Sequence, residues 1–250
     1  MELIVALDYP KVEQAEALIS DIGNLPVIYK VGFELFLDAG PKWVRAKVTQ
    51  GHRLFLDLKF HDIPNTVSNA VKQAERLGVE MTTLHLSGGS EMLKKAKEAK
   101  RASIPRHKGA PTSPGNSLKP SLRLLGVSVL TSFDEASWGE TCDGILGTSK
   151  NEIPASSIKE SVMGLVDNGK AWIDGVVCSG KEIESVKAIS PDLFVVVPGV
   201  RPEGSPEGDQ KRVLTPLEVK KLGGDAIVVG RPITLSPNPK KVVEGILDEC

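Results

Sequence analysis

The densest cluster of ionisable residues is the segment DLKFHDIPNT at positions 57–66. Asp57 and Lys59 stand two positions apart at the end of an apolar run, and Asp62 follows three residues later. Because side chains alternate along a β-strand, residues two positions apart share a face. Lys30 ends the preceding apolar run. The spacing therefore predicts an alternating array of Lys30, Asp57, Lys59 and Asp62.

An array of this kind suits proton transfer. Burying a charge is unfavourable unless it is paired, and alternation pairs every ion. Lys59 would then be an ammonium group held between fixed carboxylates, and it could donate a proton where negative charge develops. A Schiff-base role needs a neutral amine, which flanking carboxylates disfavour. A salt-bridge network that only stabilises the fold is the remaining alternative.

A second group of residues has the chemistry of a phosphate site. Pro198 and Arg201 lie in the sequence VPGVRP, Gln210 ends a nearby GDQ, and Gly230 and Arg231 are adjacent. Glycine lets a backbone approach an anion closely, and the arginine guanidinium offers two parallel donors. These residues predict a site for a phosphorylated substrate. The alternative is a helix cap flanked by surface arginines.

Eight short apolar runs, each followed by a polar, helix-like stretch, must position these residues. The runs are Leu3–Leu7, Val27–Val31, Arg53–Leu58, Glu80–Leu86, Gly126–Leu130, Gly175–Cys178, Leu193–Val197 and Ala226–Val229. The helix-like stretches are Val12–Ile22, Trp43–Gln50, Thr66–Leu77, Met92–Lys100, Ile158–Asn168, Glu182–Ile189, Pro216–Leu222 and Pro239–Leu247. Apolar strands that alternate with helices are typical of a parallel sheet covered by helices.

Eight such units predict a single-domain α/β protein, a (β/α)8 barrel over residues 1–250. A Rossmann-type sheet is disfavoured because no GxGxxG follows the first run. Two longer stretches interrupt the pattern. The segment 101–121, rich in Pro, Gly, Ser and Lys, predicts a flexible connection, and Ser137–Ser157 predicts a loop across the barrel mouth.

In a (β/α)8 barrel the chemistry lies where the strands end. Nearly every predicted end here is polar, and each one alone is typical of a solvated loop. The ends are Asp8, Lys30, Asp57 with Lys59, His85, Thr131 with Ser132, Ser179, Arg201, and Gly230 with Arg231. Taken together they predict one site.

Composition excludes several classes of protein. Lys and Arg number 31 and Asp and Glu 32, so a net charge of -1 argues against nucleic-acid binding. No apolar stretch approaches the roughly 18 residues of a membrane span, and the N-terminus does not resemble a signal peptide. Three cysteines form no metal-binding spacing or disulfide framework. A cytoplasmic protein without membrane contact is expected.

The segment 57–66 meets every fixed position of the pattern D-x-K-x-x-D-[IV]-x-x-T. With it, the sequence resembles the orotidine 5′-phosphate decarboxylase family, which makes UMP in pyrimidine biosynthesis. The similarity runs from Ala6 to Pro232. Its supporting segments are Tyr29–Gly32, Val129–Ser132, Val177–Ser179, Pro198–Pro202 and Gly208–Gln210.

The resemblance implies a cofactor- and metal-independent decarboxylase. Lys59 would protonate C6 of the pyrimidine once carbon dioxide leaves. Asp57 would lie beside the departing carboxylate, and Asp8 and Lys30 would bind ribose hydroxyls.

The resemblance also implies a homodimer with shared active sites. Asp62, Ile63 and Thr66 would reach into the partner's site. The pyrimidine would contact Thr131 and Ser132. The residues implied at the phosphate are Pro198, Arg201, Gln210, Gly230 and Arg231.

Two rival functions stay open. Metal-dependent sister enzymes, such as hexulose phosphate synthase and keto-gulonate phosphate decarboxylase, share the D-x-K-x-x-D strand. Asp8, Lys30 and the tail IPNT favour the nucleotide decarboxylase. A barrel that binds a nucleotide without catalysis is the other rival, and the intact charged array disfavours it.

Overall fold

Eight parallel strands pair in chain order, and the first pairs with the last to close a barrel. The computed structural model describes residues 1–102, 121–146, 157–202 and 214–250. The strands are β1 (Glu2–Ala6), β2 (Ile28–Val31), β3 (Arg53–Phe60), β4 (Met81–His85), β5 (Arg123–Val127), β6 (Gly175–Val177), β7 (Phe194–Pro198) and β8 (Ala226–Val229). The predicted (β/α)8 barrel is confirmed.

Helices follow the strands and cover the outside of the barrel. They are α1 (Val12–Ile22), α2 (Phe33–Thr49), α3 (Pro64–Leu77), α4 (Gly89–Ala102), α5 (Glu135–Leu146), α6 (Ile158–Gly169), α7 (Ile183–Ile189), α8 (Pro216–Leu222), α9 (Arg231–Thr234) and α10 (Pro239–Glu249). None of the helices in the described ranges is both long and apolar enough to cross a bilayer.

Alternation along the strands produces two apolar layers. Inward-facing residues such as Ile4, Phe55 and Met81 fill the barrel, and outward-facing residues such as Val5 and Leu54 pack under the helices. Because every strand has a neighbour on both sides, the sheet has no free edge. The barrel is therefore a rigid frame that holds the strand ends in fixed positions.

Ion pairs close the end of the barrel opposite the site. Arg53 Nη2 lies 2.7 Å from both Glu2 Oε1 and Glu80 Oε1, and Arg123 contacts the same two carboxylates at 3.2 and 3.3 Å. The Arg123 guanidinium also lies 4.3 Å from the ring centroid of Phe194. Each buried charge at this end thus has a partner, as burial requires.

Two predicted boundaries were wrong around the fifth strand. We expected Gly126–Leu130 there, but β5 spans Arg123–Val127. Gly126 lies inside the strand. A Cβ at this position would come 2.5 Å from Leu86 Cδ2, so the close packing of Leu86 explains why the residue is a glycine. Of the stretch Ser137–Ser157, expected to be a loop, the part up to Leu146 belongs to α5. Residues 147–156 lie outside the described residues, as does most of the predicted connection 101–121.

The helix after β2 begins earlier than predicted. It starts at Phe33 rather than Trp43, and it is kinked at Gly40, whose φ is 71°. Pro41 follows directly and removes a backbone donor, which explains why the sequence pattern indicated a boundary there. The early start places Phe33 and Glu34 beside the end of β2, next to the site.

Candidate active site

A cavity of about 560 Å³ opens at the carboxyl ends of the strands. Its charged side chains come from both halves of the chain. Asp8 follows β1, Lys30 lies in β2, and Asp57 and Lys59 lie in β3, while Arg201 and Arg231 follow β7 and β8. Apolar residues of the barrel interior, including Phe55 and Val196, form its floor. The closed barrel therefore brings the predicted proton-transfer array and the predicted phosphate site into one cavity.

Asp57 lies between two ammonium groups. Its Oδ2 atom is 2.9 Å from Lys59 Nζ and 3.9 Å from Lys30 Nζ. Lys30 Nζ also lies 2.7 Å from Asp8 Oδ1. The Asp57 and Lys30 side chains are each 12% exposed and that of Asp8 62% exposed, so the array runs from the barrel interior toward solvent. Lys30, Asp57 and Lys59 alternate in sign, as the spacing predicted.

Asp62 does not join this array within one chain. Its Oδ1 atom accepts the backbone N–H of Ile63 at 2.6 Å, and no ion pair within the described residues joins it to Lys30 or Lys59. Asp62, Ile63 and Thr66 are exposed and do not line the cavity. The spacing argument that placed Asp62 in the array was therefore wrong for a single chain, because the backbone turns into α3 after β3.

The backbone of β3 is irregular at Lys59. Leu56 pairs with Thr82, but Phe60 pairs with Leu84, so β3 carries extra residues opposite β4. Lys59 has a φ of 43°, a left-handed value that is uncommon for a side-chain-bearing residue. Simple alternation, our reason for placing Asp57 and Lys59 on one face, is therefore incomplete. The bulge and the lysine's length together bring the two side chains into contact.

Three further residues surround the array, and sequence reasoning did not assign them to it. The Thr83 hydroxyl contacts both Asp57 and the Lys59 backbone, and the Phe33 ring centroid lies 5.9 Å from Lys59 Nζ. The third is His85, whose ring centroid lies 5.2 Å from that of His61. The sequence pattern predicts His85 only as a polar strand end. The signal that could have found Thr83 is a pair of threonines, Thr82 and Thr83, inside an otherwise apolar strand.

His85 lies beside the array as a weak base. Burial lowers the pKa of His85 from its ordinary value, and His61 and Lys59 lower it further, against the opposing effect of Asp57. The neutral form of the His85 imidazole is therefore favoured over the charged form at neutral pH.

The predicted phosphate residues lie on the same cavity. Pro198, Arg201, Gly230 and Arg231 line it, and Arg201 as a whole residue is 6% exposed. One Arg201 guanidinium nitrogen donates to Val200 O at 3.1 Å, which holds the group at the end of β7. Gln210 lies outside the described residues.

The two residues predicted to contact the pyrimidine differ in placement. Thr131 lines the cavity, four residues after β5 ends. Ser132 is exposed and does not line it. Thr131 is therefore the better placed of the two in this structure.

A smaller cavity of about 250 Å³ lies beside the first. It shares Asp8, Lys30, Asp57 and Lys59 with the larger one, and Phe33 and Glu34 of α2 also line it. The Phe33 side chain is half exposed, although aromatic side chains are usually well covered. The array is therefore open on the side of α2 as well as from the barrel mouth.

Comparison with known proteins adds the family to this geometry. The model of the orotidine 5′-phosphate decarboxylase / HUMPS family matches residues 1–246. The chain belongs to this family. Among curated relatives, orotidine 5′-phosphate decarboxylase of Nitratidesulfovibrio vulgaris (strain DP4) is 41% identical over 99% of this chain and 97% of its own length. The orotidine 5′-phosphate decarboxylase of Lactococcus lactis subsp. cremoris (strain SK11) is 38% identical over 98% of this chain and 96% of its own length.

Two solved structures share this architecture. The enzyme from Lactobacillus acidophilus aligns with a TM-score of 0.78 at 37% identity, over 99% of this chain and 98% of that chain. An uncharacterised conserved protein from Geobacillus kaustophilus aligns with a TM-score of 0.76 at 31% identity, over 99% of both chains. Family membership and the barrel thus agree over nearly the whole chain.

Proposed function

We propose that this protein is an orotidine 5′-phosphate decarboxylase, a carboxy-lyase that converts orotidine 5′-phosphate into UMP. The observation that carries the proposal is the shared cavity: Lys30, Asp57 and Lys59 lie in it together with Arg201 and Arg231. A small phosphorylated molecule can therefore contact both groups at once. Family membership supplies the identity of that molecule.

Binding relies on the two ends of the cavity. Arg201, Arg231 and Gln210 hold the phosphate, with Pro198 and Gly230 shaping the backbone around it. Asp8 and Lys30 bind the ribose hydroxyls, and Thr131, with Ser132 nearby, contacts the pyrimidine. Energy from the remote phosphate helps to hold the reacting carbon against the charged array.

The chemical step needs a proton at the carbon that loses its carboxylate. When the C6–carboxylate bond breaks, carbon dioxide leaves and the electron pair stays on C6. The Lys59 ammonium donates a proton to that carbon, and the resulting amine regains one from water. Asp57 holds the ammonium at 2.9 Å, and the array stabilises the developing charge without having to reorganise. In this scheme the groups that react belong to the chain itself.

We further propose that two chains share their sites in a homodimer. Asp62, Ile63 and Thr66 are exposed at the start of α3 and do not line their own chain's cavity. Ile63 is 67% exposed, so its side chain is free to contact a second chain. The smaller cavity beside Lys59 leaves room for such a segment from a second chain.

A cytoplasmic location belongs to the same proposal. Cys142, Cys178 and Cys250 are free thiols, as is usual for proteins of reducing compartments. We propose no nucleic-acid or membrane partner, since the formal net charge is -1 and the substrate is a single nucleotide.

The deciding experiment follows the absorbance of orotidine 5′-phosphate with purified protein in excess chelator. We expect the substrate absorbance to disappear and UMP to form in equal amount. Turnover that stops in chelator would instead favour a metal-dependent sister reaction. Tight UMP binding without turnover, in a folded protein, would favour a barrel that only binds nucleotides.

A further inference from the structure

The Thr83 hydroxyl joins the two central residues of the array. Thr83 is fully buried in β4. Its Oγ1 atom donates to Asp57 Oδ1 at 2.8 Å and accepts the Lys59 backbone N–H at 2.9 Å. A hydroxyl has one proton to donate and lone pairs to accept, so both bonds form at once. One side chain thus fixes the Asp57 carboxylate and the Lys59 main chain.

The Asp57 contact leaves the carboxylate's other oxygen for the lysines. Oδ1 is taken by Thr83, while Oδ2 faces Lys59 Nζ at 2.9 Å and Lys30 Nζ at 3.9 Å. Without the hydroxyl, the carboxylate could rotate about its terminal torsion, which is soft. Thr83 therefore fixes the plane of the carboxylate relative to the ammonium groups.

The Lys59 contact supports an uncommon backbone conformation. Lys59 is the one non-glycine residue with positive φ in the described part of the chain. It lies where β3 carries extra residues opposite Thr83, between the pairs Leu56–Thr82 and Phe60–Leu84. A bulge interrupts the regular ladder, so a residue there needs another acceptor for its N–H. The Thr83 hydroxyl is that acceptor.

We propose that Thr83 is a positioning residue of the decarboxylation step, an inference that depends on the proposed function. It holds the Lys59 bulge and the Asp57 carboxylate in one geometry, so that the ammonium group is aimed before substrate arrives. Such pre-organisation affects the step in which charge develops more than it affects binding. The phosphate contacts of Arg201 and Arg231 come from the ends of β7 and β8, whereas the Thr83 hydroxyl contacts Asp57 and Lys59.

Thr82 supplies a matched control for this proposal. It is the adjacent residue of the same strand and is equally buried. Its hydroxyl also makes a hydrogen bond, to Leu56 O at 2.9 Å, but this bond lies on the other face of β4. Removing the Thr82 hydroxyl costs one buried hydrogen bond and removing that of Thr83 costs two, but only the Thr83 bonds reach the array.

The test compares Thr83→Val, Thr83→Ser and Thr82→Val in the orotidine 5′-phosphate assay, with UMP affinity and the thermal midpoint measured alongside. For Thr83→Val we expect kcat to fall about 10- to 100-fold, as for the loss of a hydrogen bond to a charged group. KM and UMP affinity should stay within about threefold. Thr83→Ser should restore kcat to near the wild-type value, and Thr82→Val should keep kcat even though its thermal midpoint falls.

Several results would overturn the inference. They are a Thr83→Val protein with kcat within twofold of wild type, a Thr83→Ser protein as slow as Thr83→Val, and an equal loss of kcat in Thr82→Val. Thr83→Ala, judged by the same criteria, replaces the valine variant if that protein does not fold. An inactive wild-type protein would instead contradict the proposed function, so the two failures are distinguishable.

Discussion

Lys59 has two features that rarely occur in one residue. Its ammonium group lies 2.9 Å from a carboxylate, and its backbone φ is 43°. Backbone strain of this kind persists where the surrounding structure fixes it, often at functional sites. The lysine is therefore held from both ends, by Asp57 at the side chain and by Thr83 at the main chain.

Removing the Lys59 ammonium should abolish turnover and preserve binding. For Lys59→Ala we expect kcat to fall by at least about 10³-fold, within the range for loss of a general acid. UMP affinity should change little, because Arg201 and Arg231 are untouched. Steady-state kinetics and calorimetric titration with UMP would check both parts.

The control for that variant is Lys170→Ala, which removes a lysine that pairs with Asp167 on the exposed surface of α6. It should leave kcat unchanged. Turnover by Lys59→Ala near the wild-type rate would remove Lys59 from its proposed role.

Arg231 should matter for binding the phosphate. It follows β8 and lines the cavity, with Gly230 beside it. For Arg231→Ala we expect kcat/KM to fall about 100-fold or more, as for loss of a charge-assisted, two-pronged contact. Added guanidinium cation, which replaces the deleted side-chain group, should restore part of the rate.

Kinetics with and without guanidinium would test the Arg231 prediction, and Lys59→Ala, which guanidinium should not rescue, is the control. Unchanged affinity for the nucleotide would show that the phosphate lies elsewhere.

At the scale of elements, Asp174 connects a helix to two strands. It directly precedes β6 and accepts from Lys97 and Lys100 of α4 at 2.6 and 2.7 Å, and from Leu124 N of β5 at 2.8 Å. Burial alone would raise the pKa of Asp174, but these donors outweigh it and the pKa is lowered. The carboxylate form therefore stabilises the folded state.

The sign of this effect predicts its pH dependence. A lowered folded-state pKa contributes stability above the unfolded value of about 3.9, and that contribution is lost as the pH falls through the folded value. For Asp174→Asn we expect a loss of about 1–3 kcal/mol in the free energy of unfolding at pH 7. The difference from wild type should shrink below about pH 4.

Urea unfolding at a series of pH values would measure the Asp174 contribution. Asp167→Asn, which alters an exposed carboxylate of α6, is the matched control and should cost little at any pH. A pH-independent difference for Asp174→Asn would contradict the ionic interpretation.

At the scale of the whole molecule, eight strands form one barrel around one inner core. We propose on this basis that residues 1–250 fold as a single domain. The shared-site proposal adds a second level of organisation, because each active site would need Asp62 and Thr66 from another chain.

Hybrid dimers provide the test of shared sites. Lys59→Ala and Asp62→Ala proteins should each be nearly inactive alone. After mixing and subunit exchange, one of the two sites in each hybrid has both residues, so about a quarter of wild-type activity should return with random pairing. The assay is turnover after exchange, with exchange itself followed by mass-tagged subunits.

The matched control for the hybrids mixes Lys59→Ala with Asp57→Ala. Because Asp57 and Lys59 come from the same chain in the proposed site, no hybrid site is complete and no activity should return. Recovery in this control, or none in the first mixture despite exchange, would contradict the shared-site proposal.

Local pattern was enough to predict the architecture. Strand β8 coincides with the predicted run Ala226–Val229, because burial on both faces makes a parallel strand apolar throughout. Helices α1 and α8 coincide with the predicted stretches Val12–Ile22 and Pro216–Leu222. The local pattern misplaced the start of the fifth strand at Gly126, which lies inside β5, whereas Gly40 does interrupt α2, with a φ of 71°. Whether a glycine ends an element or lets a neighbour pack closely depends on residues distant in sequence, such as Leu86.

The sequence by itself determined the barrel, the family resemblance and the composition of the charged array. Only the tertiary structure decided which residues meet. It placed Lys59 in a bulge, brought Thr83 from β4 onto Asp57, left Asp62 exposed and joined Arg201 to the array's cavity. The physical reason is that barrel closure and strand register are properties of all eight strands together, so contacts across the mouth are not encoded in any single segment.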